Sequence, residues 1–294
     1  MTDMYKTLKN YVLLILLMMT ATPAVAQSIN IPDTLAGWDQ SWVANLNGSQ
    51  AAYSNWAQGG VSSISGTASS IFTMKYRQGL FSYGFRTNLK YGQSNVQGEG
   101  VIKTDDVIEI INRFNYRFTE DGNFSGYGNI NFRTQFDEGY EYSTEDGVPD
   151  VLISDLFAPA YVMEGVGVAY APSDAFTFET GLALKQTIVT DDDLKPLYGV
   201  AQDKEVRGEG GLTTGINFEK EVFESIFYTS ALETFTNFLI PVSETDVKWS
   251  NEVVGQINSL VSASFQFELR YDNDFSSEIQ LKQVLSAGIS VSLY

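Results

Sequence analysis

A period of two, held for ten or more residues in segment after segment, constrains this chain more than any other feature. In residues 81 to 92, Phe81, Tyr83, Phe85, Thr87, Leu89 and Tyr91 alternate with Ser82, Gly84, Arg86, Asn88, Lys90 and Gly92. Successive side chains of a strand point to opposite faces, so one face here is apolar and aromatic while the other is polar or cationic. The pattern returns in residues 108 to 118, where Ile108, Ile110, Phe114, Tyr116 and Phe118 oppose Glu109, Arg113, Asn115 and Arg117. Near the end, Val261, Ala263, Phe265, Phe267, Leu269 and Tyr271 alternate with Ser262, Ser264, Gln266, Glu268 and Arg270. These runs are longer than most strands of water-soluble proteins.

Extending the count to 38–49, 60–76, 124–135, 160–170, 175–189, 206–220, 224–238, 245–258 and 281–293 predicts about twelve strands, an all-β fold. A soluble sandwich would turn the apolar face inward, whereas an outer-membrane barrel turns it to lipid and encloses the polar face. The connections favour the barrel. They alternate between short (77–80, 119–122, 171–174, 221–223) and long (50–59, 94–102, 137–159, 190–205), as expected for periplasmic turns and external loops. Closure follows physically, because an open edge in hydrocarbon leaves unpaired backbone groups that cost several kcal/mol each, roughly. The expectation is therefore a closed antiparallel β-barrel of the outer-membrane type, with both termini on the periplasmic side.

Composition removes other classes. The 294 residues contain no histidine and no cysteine, which excludes histidine-based triads, thiolate nucleophiles, disulfides and Cys-ligated metals. No Ser-Lys or paired-carboxylate spacing singles out a catalytic site, so no enzyme and no cofactor are expected. Eighteen basic against 36 acidic residues, a net charge of -18, argue against a nucleic-acid partner. Lys6 and Lys9, the apolar run Val12–Met19 and the triplet Ala24-Val25-Ala26 read as a cleaved signal peptide over residues 1–26. Residues 27–294 then form a single transmembrane barrel in the outer membrane of a Gram-negative bacterium, with lipid, lipopolysaccharide and an envelope protein as candidate partners.

The interior face carries the candidate functional residues. Lys75, Arg77, Arg86, Lys90, Arg113, Arg117 and Arg133 form a basic wall with Glu109 as companion. The later strands add Glu179, Glu209, Glu219, Glu233, Glu252 and Glu268 beside Lys185, Arg207, Lys248, Arg270 and Lys282. One reading is a structural or envelope-associated barrel whose lumen is filled by ion networks. The alternative is a narrow channel for small polar or charged solutes, oriented by a transverse field. The acidic stretches 137–150 and Asp191-Asp192-Asp193 offer a third, loop-based cation or envelope-component binding, although their spacing matches no complete EF-hand. Trp38, Trp42, Trp56 and Trp249 suit an interface belt. Tyr294 resembles a terminal aromatic assembly signal, but Gly288, Ser290 and Ser292 share its phase, whereas Ile289, Val291 and Leu293 form the apolar set.

Four segments in order, NWAQGG (Asn55 to Gly60), KTDD (Lys103 to Asp106), FRTQFDEGY (Phe132 to Tyr140) and LFAPAY (Leu156 to Tyr161), resemble a Bacteroidota family of exported proteins, domain of unknown function 3078 (DUF3078). The resemblance runs from about Trp38 to the carboxyl terminus and implies a β-barrel-like outer-membrane protein without an activity to transfer. Asn55, Trp56, Gly59 and Gly60 correspond to its first motif, Lys103, Asp105 and Asp106 to the second, Thr134 and Gln135 to the third, and Pro159 falls in the fourth. Lys103 and Asp106 are expected to anchor an external loop to the rim, and Gln135 to turn inward among the lumen-lining residues.

Overall fold

A computed structural model describes residues 29–52, 62–98, 100–120, 122–143, 147–258, 260–272 and 276–293. The expected signal peptide, the motif residues Asn55, Trp56, Gly59 and Gly60, and Tyr294 lie outside the described residues.

The strands are β1 (Gly37–Ala51), β2 (Ser63–Gln78), β3 (Phe81–Val96), β4 (Gly100–Arg117), β5 (Phe124–Thr134), β6 (Gly139–Glu141), β7 (Val151–Ser154), β8 (Ala160–Ser173) and β9 (Phe176–Ile188). They continue with β10 (Val206–Phe223), β11 (Ile226–Asn237), β12 (Asp246–Gln256), β13 (Val261–Asp272) and β14 (Ser276–Ser292). Twelve of them close a barrel in which each strand pairs with its sequence neighbours, β5 pairs with β8, and β1 pairs with β14. Every pairing is antiparallel, and β6 and β7 form a separate small sheet within the loop between β5 and β8. The expected closed, all-antiparallel barrel is what the chain forms.

The outward side chains follow the predicted phase. Leu46, Val166, Leu182, Leu281 and Leu285 all stand exposed on the outer wall, each with more than half of its surface accessible. A continuous apolar belt of this kind meets lipid. Aromatic contacts brace it near the short-turn rim, with Trp38 4.6 Å from Tyr76 and Phe124 4.8 Å from Tyr170 between ring centroids. Polar groups on the outer wall find partners on adjacent strands. Tyr83 donates to Asn112 Oδ1 at 2.9 Å, Tyr228 to Asn251 Oδ1 at 2.8 Å, and Trp249 to Ser230 Oγ at 3.2 Å. In hydrocarbon no water is available to satisfy them, so the neighbouring strand does.

The connection placed at 94–102 is shorter than expected. β3 and β4 stay paired up to Val96 and Gly100 and are joined by 97–99 alone. Beyond the lipid belt both faces of β3 turn polar, as in Gln93, Ser94 and Asn95, so its period-two signal fades while the backbone ladder continues. With 16, 16 and 18 residues, β2, β3 and β4 are taller than β12 or β13, with 11 and 12.

Two local irregularities matter for the interior. In the β3–β4 ladder Gly92 pairs with Asp105 and Gln93 with Lys103, leaving Thr104 as an extra, bulged residue. Further along, the β8 and β9 backbones approach closely where Gly167 faces Gly181. A Cβ at Gly167 would stand 2.3 Å from the Thr180 carbonyl oxygen, and one at Gly181 would stand 2.3 Å from the Val166 carbonyl oxygen.

Candidate functional site

The inward residues of the twelve strands build a lumen whose charges pair both along and across the wall. Arg113 on β4 meets Glu179 on β9 at 2.7 Å, and its guanidinium lies 4.2 Å from the centre of the Tyr127 ring. Asp105 on β4 accepts both Lys90 of β3 at 3.0 Å and Lys282 of β14 at 3.1 Å. Lys185 of β9 reaches Asp246 of β12 at 2.7 Å, with Glu209 4.0 Å away. Glu209 also receives Arg207 at 2.9 Å and the Asn237 amide at 2.9 Å. Glu252 accepts the Gln266 amide at 2.9 Å, and Glu268 lies 3.3 Å from Arg270. Cations from β2–β5 are thus set against acids from both their own wall and the opposite one.

The remaining lumen candidates fall into place around these pairs. Lys75 is in register with Asp39 of β1, and Glu233 with Lys248 of β12. Arg86 lies in the field of Glu219 and Glu109. Glu109, Arg133 and Lys248 line two adjoining chambers at once, one bounded by Lys90, Asp105 and Lys282, the other by Arg113, Glu179 and Lys185. Arg133 lines both chambers, in register with Glu109 and in the field of Glu268, with no direct ion pair among the described residues. Arg77 and Arg117 sit at the short-turn mouth instead, where both contact Asp33, a residue that periodicity left unassigned.

Gln135 does not join the wall. It follows the last residue of β5, and its amide donates to the Asp155 carbonyl, which commits it to the external loop. Thr134 serves the same loop by donating to the Pro159 carbonyl at 3.2 Å and accepting the Phe157 N–H at 3.1 Å.

Lys103 and Asp106 do anchor that loop. The Lys103 ammonium contacts Asp106 at 2.8 Å and donates to the Asp137 carbonyl at 2.5 Å, while Asp106 accepts the N–H groups of Phe136 at 2.7 Å and Asp137 at 3.0 Å. Strand geometry alone would put residues three apart on opposite faces. The bulged Thr104 returns Lys103 to the face of Asp106, while Asp105 points inward to its two lysines on the regular phase of Glu109. Replacing Asp106 with alanine is expected to loosen residues 136–157 by about 2–3 kcal/mol, the scale of two charge-assisted hydrogen bonds. Faster proteolysis of that segment with an unchanged barrel melting temperature is the readout.

A second loop, 189–205, packs against the first. Val189, Leu194, Tyr198 and Val200 pack with Ala158 and Leu152 into a small apolar cluster outside the membrane. Burial there, with Tyr161 nearby, pushes the Tyr198 phenol up. It keeps its proton and donates to the Ile153 carbonyl at 2.6 Å. The acidic loop residues are engaged locally: Asp150 accepts the Ser143 N–H, Asp191 the Asp193 N–H, and Asp192 pairs with Lys195. Among the described residues, no three acidic side chains converge as metal ligands.

Residues 49–140 match the family described as protein of unknown function (DUF3078). No curated protein matches the chain in sequence. Among solved structures, an outer membrane channel from Pseudomonas putida F1 aligns at 8% identity, covering 93% of this chain and 99% of that one with a TM-score of 0.43. The translocator domain of the autotransporter NalP from Neisseria meningitidis aligns at 11% identity, covering 88% of each chain with a TM-score of 0.40. The closed wall with its outward apolar belt is the architecture of an outer-membrane protein, and the outer membrane is where this chain resides.

Proposed function

We propose that this chain, which belongs to DUF3078 over residues 49–140, provides a narrow outer-membrane channel for small polar or charged solutes. The observation that carries the reading is Arg133, a guanidinium that lines two charge-lined chambers at once and, among the described residues, contacts no carboxylate directly, although Glu268 acts on it from a distance. A lumen serving stability alone gains nothing from a cation without a contact acid, because desolvating such a charge is unfavourable. A solute path gains an attractive station there, strong enough to admit an anion and single enough to release it. The purified protein in planar bilayers is expected to give small conductance steps with a preference for anions. Arg133→Gln should reduce that preference about fivefold or more, given the interaction of a unit charge at contact distance. Absence of steps above background from the wild-type protein overturns the proposal.

One set of contacts favours a second reading. Arg113–Glu179, Lys282–Asp105 and Lys185–Asp246 join strands that are not neighbours, and such stitches suit a sealed barrel that serves the envelope through its loops or outer wall. In that case bilayers stay silent, and crosslinking in intact cells recovers a defined complex.

A further inference from the structure

The segment before β1, residues 29–36, lies inside the short-turn mouth of the barrel. Gly37, at φ 85, makes the reversal from this segment into β1, a conformation that L side chains rarely adopt. Ile29 and Ile31 are buried against Ile111 and Leu35, and they explain why Ile111 points inward and Asn112 outward in an otherwise regular strand. Gly84 is kept bare beneath them, since a Cβ there would stand 2.8 Å from Ile29 Cγ2. The segment crosses the mouth. On one side Arg77 donates to the Ile31 carbonyl at 2.6 Å, and on the other Asn30 donates to the Asp174 carbonyl, in the β8–β9 turn, at 2.9 Å.

Asp33 is held by one nitrogen of each of two arginines, Arg77 at 3.1 Å and Arg117 at 3.0 Å. The donors of these arginines are not used up. Arg77 Nε and Nη1 and Arg117 Nε are buried and make no hydrogen bond. Two guanidinium groups that present surplus donors to one carboxylate form a site that a free carboxylate fills as well, because fork-shaped pairing satisfies two nitrogens of an arginine at once.

We propose that residues 29–36 are a tethered plug, and that Asp33 occupies a carboxylate-binding site made by Arg77 and Arg117 for which small soluble dicarboxylates compete. The proposal does not rest on the channel reading, because it concerns access to the mouth from one side and not passage through the barrel.

Access can be measured directly, since the chain has no cysteine of its own. Ser82 is a buried residue lining this mouth, so Ser82→Cys provides a single conservative reporter for a water-soluble maleimide. Labelling is expected to be slow in the otherwise intact chain and at least tenfold faster when residues 29–35 are deleted or when Asp33→Asn is added. Each variant is first checked for the heat-dependent gel mobility of a folded barrel. Succinate should accelerate labelling several-fold over sodium chloride at equal ionic strength. Rates that ignore both the deletion and Asp33→Asn overturn the plug, and rates equal in succinate and chloride overturn the carboxylate site. A separate variant, Ile29→Cys with Gly84→Cys, tests the seat without disturbing the latch. The built Cβ at 84 lies 3.1 Å from the Cβ of residue 29, near disulfide range. A disulfide on mild oxidation is expected, and two freely labelled thiols in the folded barrel would refute the position of the segment.

Discussion

Changing Asp105 to alanine is expected to lower the barrel's unfolding free energy by about 3–5 kcal/mol, the cost of removing one partner from a buried ion pair. The Asp105 carboxylate has 2% of its side chain accessible and Lys90 has 5%, so neither group can turn to water once the other is gone. Lys282, the second partner, is about half exposed and can relax, so the loss falls on Lys90, a buried cation deprived of the acid it contacts at 3.0 Å. A denaturant midpoint measured on the folded protein in detergent or lipid reads the loss. Adding Lys90→Met should restore a large part of it, because an apolar side chain of similar length removes the buried cation that Asp105 contacted. If the double variant is as unstable as Asp105→Ala, the loss comes from packing and the electrostatic account is wrong.

Gly167→Val is expected to have a still larger effect and to prevent closure between β8 and β9. The clash is with backbone, the Thr180 carbonyl at 2.3 Å and the Gly181 Cα at 2.6 Å, and no rotamer change relieves it. Parting two paired strands breaks ladder hydrogen bonds in surroundings that supply no substitute. About 3 kcal/mol or more is expected, at or beyond the upper range for overpacking, visible as loss of heat-dependent gel mobility or of membrane insertion. Gly66→Ala is the matching control, because a Cβ at Gly66 meets nothing within 4 Å. Equal behaviour of the two variants would show that the close approach of β8 and β9 is not required.

The wall of this protein was legible in its sequence because lipid and lumen impose opposite demands on alternate residues, and Phe81 to Tyr91 or Phe265 to Tyr271 record both. The phase of Arg86, Lys90, Arg113 and Glu268 followed from the same rule. What it missed lies where that rule stops. Lys103 shares a face with Asp106 because Thr104 is bulged, and a single extra residue reverses the phase of the strand beyond it without a compositional mark. Ile111 did carry a signal, an apolar residue on the polar phase followed by a polar one on the apolar phase. Only the three-dimensional position of Ile29 and Ile31 gives that signal a meaning. Cross-lumen pairing such as Lys282 with Asp105, 177 positions apart, depends on which strands face one another and leaves no local trace.

The unequal strand lengths shape how anything reaches this molecule from outside. At about 3.3 Å per residue and a tilt of about 40°, the 18 residues of β4 rise roughly 45 Å, against an apolar belt of about 25 Å. The 11 residues of β12 rise only some 28 Å and end near the membrane surface. The barrel therefore stands like a collar with one high side at β2–β4 and one low side at β11–β13. Its opening is thus slanted, roughly 17 Å lower over β12 than over β4, and on that side it faces along the plane of the lipid heads.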